Sequence, residues 1–369
     1  MDLIGIAGTR SRPAYRKSRE HMSRVTRSII GVAGLSLAAA SLMSPAIAAS
    51  TDTGLFGPTD PTYDGVYRQS LSIIALQPLN KVPSAATNWL KSQQCADGSF
   101  LSYRASLSTP CPVADPSKFS GPDSNSTALA ATALRAVQQH AAADKAINVL
   151  VAKQNADGGW GYTLGAGSDV NSTGLVLTAL HGAATLPVNA TSMNKAQAYL
   201  AKAQVPCTGT GTFGLPYQPG GKADFLASAQ GLIGIAGTLP VAKPAKYAPV
   251  KGTNCSSDSE ARVSAFLANA LVADKGQLPS AMDPTQADDN STANAVVALA
   301  SAAKGQAGVL AGLGHLQRHV TAFTLFGPKF KAAAAAALIQ VAEATGTNPR
   351  AFGSEKTNLV ANLLNSITK

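Results

Sequence analysis

Asp169-Val-Asn171-Ser172-Thr173-Gly-Leu-Val-Leu-Thr-Ala179-Leu180 is the stretch on which the fold turns. It returns at Asp123-Ser-Asn125-Ser126-Thr127-Ala-Leu-Ala-Ala-Thr-Ala133-Leu134, and again at Asp288-Asp289-Asn290-Ser291-Thr292-Ala-Asn-Ala-Val-Val-Ala298-Leu299. Three copies of D-x-N-S-T-[AG], each trailed at one distance by Ala-Leu, mark a repeat architecture. Weaker copies begin at Asp224-Phe-Leu-Ala-Ser228-Ala-Gln230 and around Gln69-Ser70, where Ala75-Leu76 falls at the expected place.

A second phrase alternates with the first. Leu90-x-x-x-Gln94-Cys-Ala-Asp97-Gly98-Ser-Phe100 matches Leu150-x-x-x-Gln154-Asn-Ala-Asp157-Gly158-Gly-Trp160, and Leu200-x-x-x-Gln204 reaches Phe213 after a Gly-rich insert. The D-x-N-S-T cluster is rich in side-chain acceptors suited to capping a helix start. The residues after it are Ala-rich and apolar nearly all round, as in a helix buried on both sides. The L-x-x-x-Q segments mix apolar residues with Lys, Gln and Asn, as in a helix with one wet face, and Asp-Gly turns stop them.

Inner and outer helices therefore alternate as 65–77 and 85–94, 125–140 and 143–154, 172–186 and 192–204, 225–237 and 258–272, 291–303 and 306–320, 329–345 and 355–368. Six hairpins with apolar inner helices predict an all-α fold, specifically a closed α/α toroid. An open array needs polar capping repeats at both ends, whereas Phe330–Val341 is as apolar as the other inner helices.

The chain of 369 residues is 45% apolar and only 14% charged, which excludes intrinsic disorder. Its net charge of +10 looks basic, yet half of that excess lies in residues 1–48, where Arg10, Arg12, Arg16, Lys17, Arg19, Arg24 and Arg27 face only Asp2 and Glu20. No Lys/Arg run elsewhere builds a phosphate-tracking stripe, so no nucleic-acid partner is expected. Arg24 and Arg27 precede the uncharged stretch Ser28–Leu42, then Pro45 and Ala46-Ile47-Ala48. This is the pattern of a secretory signal over residues 1–48, with Met22 as an alternative start, residues 49–64 as a linker and 65–369 as the repeat domain. A membrane anchor is the competing reading of that stretch. No second apolar stretch reaches the ~20 residues needed to span a bilayer, so no stable span is expected after processing.

Export points the four cysteines towards disulfides. Three pairings are open. Cys95 and Cys111 bracket one Gly/Ser/Pro-rich loop and Cys207 and Cys255 another, which favours nearest-neighbour bonding. There is no C-x-x-C and no His beside any cysteine, so they give no reason to expect a metal or other cofactor.

Gln154-Asn-Ala-Asp-Gly158-Gly-Trp160 reads as Q-x-x-x-G-x-W, and Gln94 to Phe100 repeats it with Phe for Trp. This resembles the QW repeat of the squalene/oxidosqualene cyclase and protein prenyltransferase superfamily, to which the secreted cobalamin carriers of the intrinsic factor and transcobalamin type are similar. The resemblance covers roughly residues 65–368 and implies the six-hairpin toroid. It does not carry the chemistry over. The nearest approach to the D-x-D-D proton donor of class II cyclases is Gln286-Ala287-Asp288-Asp289, with Gln in the first place. No cysteine falls on an expected inner helix to complete a prenyltransferase-type zinc set, no C-G-E-Q thioester motif is present, and no β domain of the carrier kind comes after the last hairpin.

In such a toroid all inner-helix starts share one end, so Asp123, Asn125, Asp169, Asn171, Asp224, Asp288, Asp289 and Asn290 would ring its mouth. As caps they are worth about 1 kcal/mol each; as a rim they would also face a ligand. The Asn-Ser-Thr triplets fit the N-glycosylation pattern as well, but their place in the repeat favours capping. Trp160, Phe100 and Phe213, with Tyr162, are expected to wedge the turns after outer helices. Arg135, His140 and His181 are expected near inner-helix C-termini, where cations complement the dipole. The expected function is an exported, non-catalytic toroid that holds a small molecule or an envelope component at its central cavity. The competing function is a terpene-cyclase-like or glycan-active enzyme whose acids are not recognised, with Asp288 and Asp289 as the first candidates.

Overall fold

Four inner helices begin on an aspartate that accepts a hydrogen bond from the backbone N–H three residues on. The pairs are Asp123 with Ser126, Asp169 with Ser172, Asp224 with Ala227 and Asp288 with Ser291, at 2.6–2.9 Å. Each bond satisfies one of the free N–H groups that every helix start leaves. The computed structural model describes residues 53–186, 189–206, 213–237, 239–250, 258–281 and 283–369. The signal pattern of residues 1–48, together with Cys207 and Cys255, lies outside the described residues.

The chain is mostly helical, with a single two-stranded hairpin among the described residues. The inner helices are α1 (Gly65–Leu76), α3 (Ser124–Ala136), α5 (Val170–Gly182), α7 (Phe225–Ala236), α9 (Asp289–Ser301) and α12 (Ala332–Thr345). The outer ones are α2 (Ser84–Ser92), α4 (His140–Ala152), α6 (Asn189–Ala203), α8 (Ser259–Ala273), α10 (Gln306–Arg318) and α13 (Leu359–Asn365). A short α11 (Val320–Thr324) and the hairpin of β1 (Leu325–Phe326) and β2 (Lys329–Phe330) precede α12.

Residue type decides which ring a helix joins. On α5 every residue from Val170 to Leu180 is buried, whereas α4 buries only Ala143, Ala146, Ile147 and Leu150, one stripe at helical spacing. In chain order α1, α3, α5, α7, α9 and α12 each pack on the next, and α12 packs back on α1, so the inner helices contact one another in a closed cycle. Each outer helix packs on the inner helix of its own hairpin.

The two repeated phrases join neighbouring hairpins. Gln154 Nε2 donates to Gly158 O at 2.8 Å, folding its own turn, and to Ser192 O of the next outer helix at 2.9 Å. Gln94 does the same with Gly98 O and Ala142 O. Gly158 stands at φ +95°, and a Cβ there would lie 2.5 Å from Lys195 O of α6; Gly98, at φ +104°, would meet Lys145 O of α4 at 2.7 Å. These turns therefore need glycine twice over, for conformation and for room. Trp160 and Phe100 are fully buried, Phe213 nearly so, and the Trp160 indole N–H donates to Leu150 O at 2.7 Å.

The threonine that ends D-x-N-S-T completes the join. Thr173 Oγ1 accepts from Trp160 N and donates to Asp169 O, while Asp169 N donates to Trp160 O. Thr127 with Phe100 and Thr292 with Leu278 repeat the arrangement. Ser228 plays the same part for Leu215.

Several expectations need correction. The stretch 49–64 is not a linker over its described part. Gly54 N donates to Thr368 O, Thr368 N to Leu55 O and Gly57 N to Ser366 O, with Leu55 and Phe56 buried. Buried Arg68 holds this strap from α1 through bonds to Phe56 O, Thr59 O and Asp64 Oδ1. The second inner helix stops at Ala136 rather than 140, because Gln138 takes φ +61°; His140 thus opens α4 and is no C-terminal cation. Arg135 and His181 do sit in last turns, and Arg135 Nε donates to Gly182 O. The last inner helix begins at Ala332, not 329, because Gly327-Pro328 forms the tip of the β1–β2 hairpin. The last outer helix runs from Leu359 to Asn365, shorter than 355–368, since Phe352 and Thr357 pair across a turn before it. Cys95 and Cys111 are bonded, and no described cysteine is free.

Candidate functional site

The caps and joins use the Asp, Ser and Thr of the repeated phrase and leave its Asn over. Asn171 is 8% exposed, and its Nδ2 donates to Gln230 Oε1 at 3.1 Å. Its buried Oδ1 has no hydrogen-bond partner among the described residues, and neither has Asn125 Oδ1. A buried acceptor without a donor costs about 1–3 kcal/mol. Asn290 is exposed.

All six inner helices line one narrow central cavity. Its wall is apolar through Leu129, Leu175, Ile233 and Val297, and polar through Tyr67, Asn290, Asn294 and Gln340. It offers about 40 Å³, room for a few waters, since one needs ~10–15 Å³. Asn171 and Gln230 link α5 to α7 through their side-chain hydrogen bond. Burial holds the Tyr67 hydroxyl above the usual tyrosine range.

Two clefts open beside the helix starts. One, of about 260 Å³, is lined by Asn171, Tyr217, Asp224, Phe225, Pro279 and Asp288, bringing together the starts of α5, α7 and α9. Tyr217 is half exposed, and Phe225 stacks on Phe266 with ring centroids 5.0 Å apart. The other, of about 410 Å³, is lined by Asp288, Asp289, Asn290, Phe323 and Lys331. Asp288 belongs to both.

The eight rim candidates therefore divide. Asn171, Asp224, Asp288, Asp289 and Asn290 line these clefts. Asp123, Asn125 and Asp169 do not line them, and the two aspartates are buried caps. Burial pushes the Asp123 carboxyl up to about 7 and raises that of Asp169, against the lowering effect of the cap hydrogen bonds. The aromatics divide too. Trp160, Phe100 and Phe213 are packed inside, whereas Tyr162 is 39% exposed.

Asp289 is engaged elsewhere as well. Its Oδ1 lies 2.7 Å from His315 Nε2 and its Oδ2 3.9 Å from His319 Nδ1, both histidines being presented by α10 and its C-cap. His315 and His319 carry no weight in the cysteine and repeat patterns. The available signal was His315-Leu-Gln-Arg-His319, two imidazoles one helical turn apart.

No family model matches the chain, and no curated protein matches it. A solved structure described as a protein from Actinoplanes is similar in fold. It has a TM-score of 0.52 at 16% identity, over 80% of this chain and 93% of that one. At that identity the likeness speaks for the helical fold alone.

Proposed function

We propose that the chain is an exported, non-catalytic binding module of α/α-toroid type that holds a small ligand at the mouth of its ring. The observation that carries this reading is Asn171, a residue lining an open cleft whose buried Oδ1 has no partner among the described residues. Around it stand the carboxylates of Asp224 and Asp288 and the rings of Tyr217 and Phe225. That set of acceptors repels anions and suits a ligand with hydroxyl or amine donors and one flat apolar face. A glycan or polyol, which would be an envelope component, fits the description.

The central cavity itself is too narrow for such a ligand, which supports placement at the mouth. The same narrowness speaks against the competing polyene-cyclase reading. The Cys95–Cys111 bond is compatible with export, as is the finding that no described helix is long and apolar enough to cross a membrane.

Native mass spectrometry of protein recovered from its culture medium, and then a panel of glycans and polyols, tests the reading. A bound species should be present in the wild type and lost from Asn171→Leu and Asp224→Asn, with unfolding midpoints nearly unchanged in the latter. A wild type that binds nothing in the panel and carries no cargo would overturn it. So would variants that bind as well as the wild type.

A further inference from the structure

The second cleft holds a cluster that the mouth reading does not use. Asp289, His315 and His319 place one carboxylate oxygen and two imidazole nitrogens within 4.8 Å of one another. The two imidazoles lie on one face of α10, with ring centroids 4.0 Å apart and planes tilted by 37°. Asp289 comes from the facing inner helix α9 and turns one oxygen to each ring. We infer that these three residues form a site for one zinc-class divalent metal ion.

The donor set is the first support. Two imidazoles and one carboxylate are a recurrent protein set for zinc with an open fourth position, and nitrogen-rich sites of this kind disfavour calcium and magnesium. Distances are the second. Bonds of about 2.0–2.1 Å in a tetrahedron put donor atoms ~3.4 Å apart. The two measured separations, 2.7 and 3.9 Å, stand on either side of that value, and all three donors lie within 4.8 Å of one another. Burial is the third. The His315 side chain is 4% exposed and that of Asp289 15%, while that of His319 is 41% exposed. The inner two ligands are held in place by packing, and the outermost opens towards solvent, leaving a coordination position for water.

The alternative use of these groups is a hydrogen bond between Asp289 and His315 that joins α9 to α10. It leaves His319 without a role, although that ring stacks against His315 with its Nδ1 turned to the same carboxylate. Asp288 and Lys331 also line this cleft. The first adds negative charge and the second opposes a cation, while the Lys331 ammonium stands over the Phe323 ring, 5.4 Å from its centre.

The test uses the full chain after dialysis against a chelator. Calorimetric titration with Zn²⁺ should show one ion per chain, and Co²⁺ should give the intense visible bands of a four-coordinate centre. His319→Ala removes an exposed ligand and should leave thermal unfolding of the metal-free protein unchanged. It should weaken Zn²⁺ by about 100-fold or more, since even outer-shell changes cost 10–100-fold. His140→Ala, which removes an exposed imidazole outside the cluster, should change nothing. Absence of stoichiometric Zn²⁺ uptake by the wild type would overturn the site. So would a His319→Ala variant of wild-type affinity, or weak six-coordinate Co²⁺ bands. None of these outcomes bears on ligand binding at Asn171, so the two readings fail separately.

Discussion

Replacing Gly158 by alanine isolates what holds neighbouring hairpins together. Two costs combine there. Gly158 sits at φ +95°, a region that costs an L-residue roughly 1–2 kcal/mol. Its new methyl would stand 2.5 Å from Lys195 O and 2.9 Å from Lys195 C, on the backbone of α6, where nothing can rotate away. Overpacking of this kind costs a further 1–3 kcal/mol or so, for a total of about 2–5 kcal/mol. Gly165 supplies the control. It has φ +86° and no atom within 4 Å of its would-be Cβ, so Gly165→Ala carries the conformational cost alone. Urea unfolding monitored by far-UV circular dichroism should show both variants with lowered midpoints, Gly158→Ala lower by a further 1–3 kcal/mol or so at unchanged slope. Equal midpoints for the two variants would refute the close-approach account, leaving the glycine of Q-x-x-x-G-x-W as a matter of turn conformation only.

The buried caps and joins can be tested in the same way. Asp123 keeps its proton in the folded state up to about pH 7, whereas the unfolded carboxyl loses it near 3.8, so the folded chain binds more protons between those values. Stability should therefore fall as pH rises from about 4 to 7, by at most ~1.4 kcal/mol per unit, and level off above. Asp123→Asn keeps an acceptor for Ser126 N and should flatten that slope in midpoints measured from pH 5 to 8; superimposable profiles would sink the claim. Thr173→Val strips Trp160 N of its acceptor and should cost about 1–3 kcal/mol. Thr178→Val, whose hydroxyl bonds only Gly174 O within its own helix, should cost much less in the same unfolding assay.

The helix count and the caps were legible because repetition amplifies a weak local signal: one Asp before an apolar run is ambiguous, three in register are not. Helix ends were misjudged where a single backbone dihedral decides them, as at Gln138, or where a Gly-Pro tip makes a hairpin out of what composition presents as helix. Pairings between distant segments stayed hidden. Nothing local in Gly54-Leu-Phe56 announces that it will bond to Ser366–Thr368, and nothing at Asn171 points to Gln230. The candidate site is legible in the sequence as a set of positions. Its Asp and Asn positions stood out through the repeat, but its separation into caps and cleft walls depends on which atoms the joins consume. His315 and His319 escaped because their partner Asp289 lies on another helix.

The seam between Gly54–Gly57 and Ser366–Thr368 sets a timetable for making the molecule. A growing chain can form hairpin after hairpin as it leaves the ribosome, each leaning on the one before. The seam, however, cannot form until residues 366–368 have emerged, and the first hairpin keeps one flank bare meanwhile. Until then α1 lacks α12 and the strap under Arg68 lacks its second edge. Such a chain gains its last contacts in one final step, after every helix has been made.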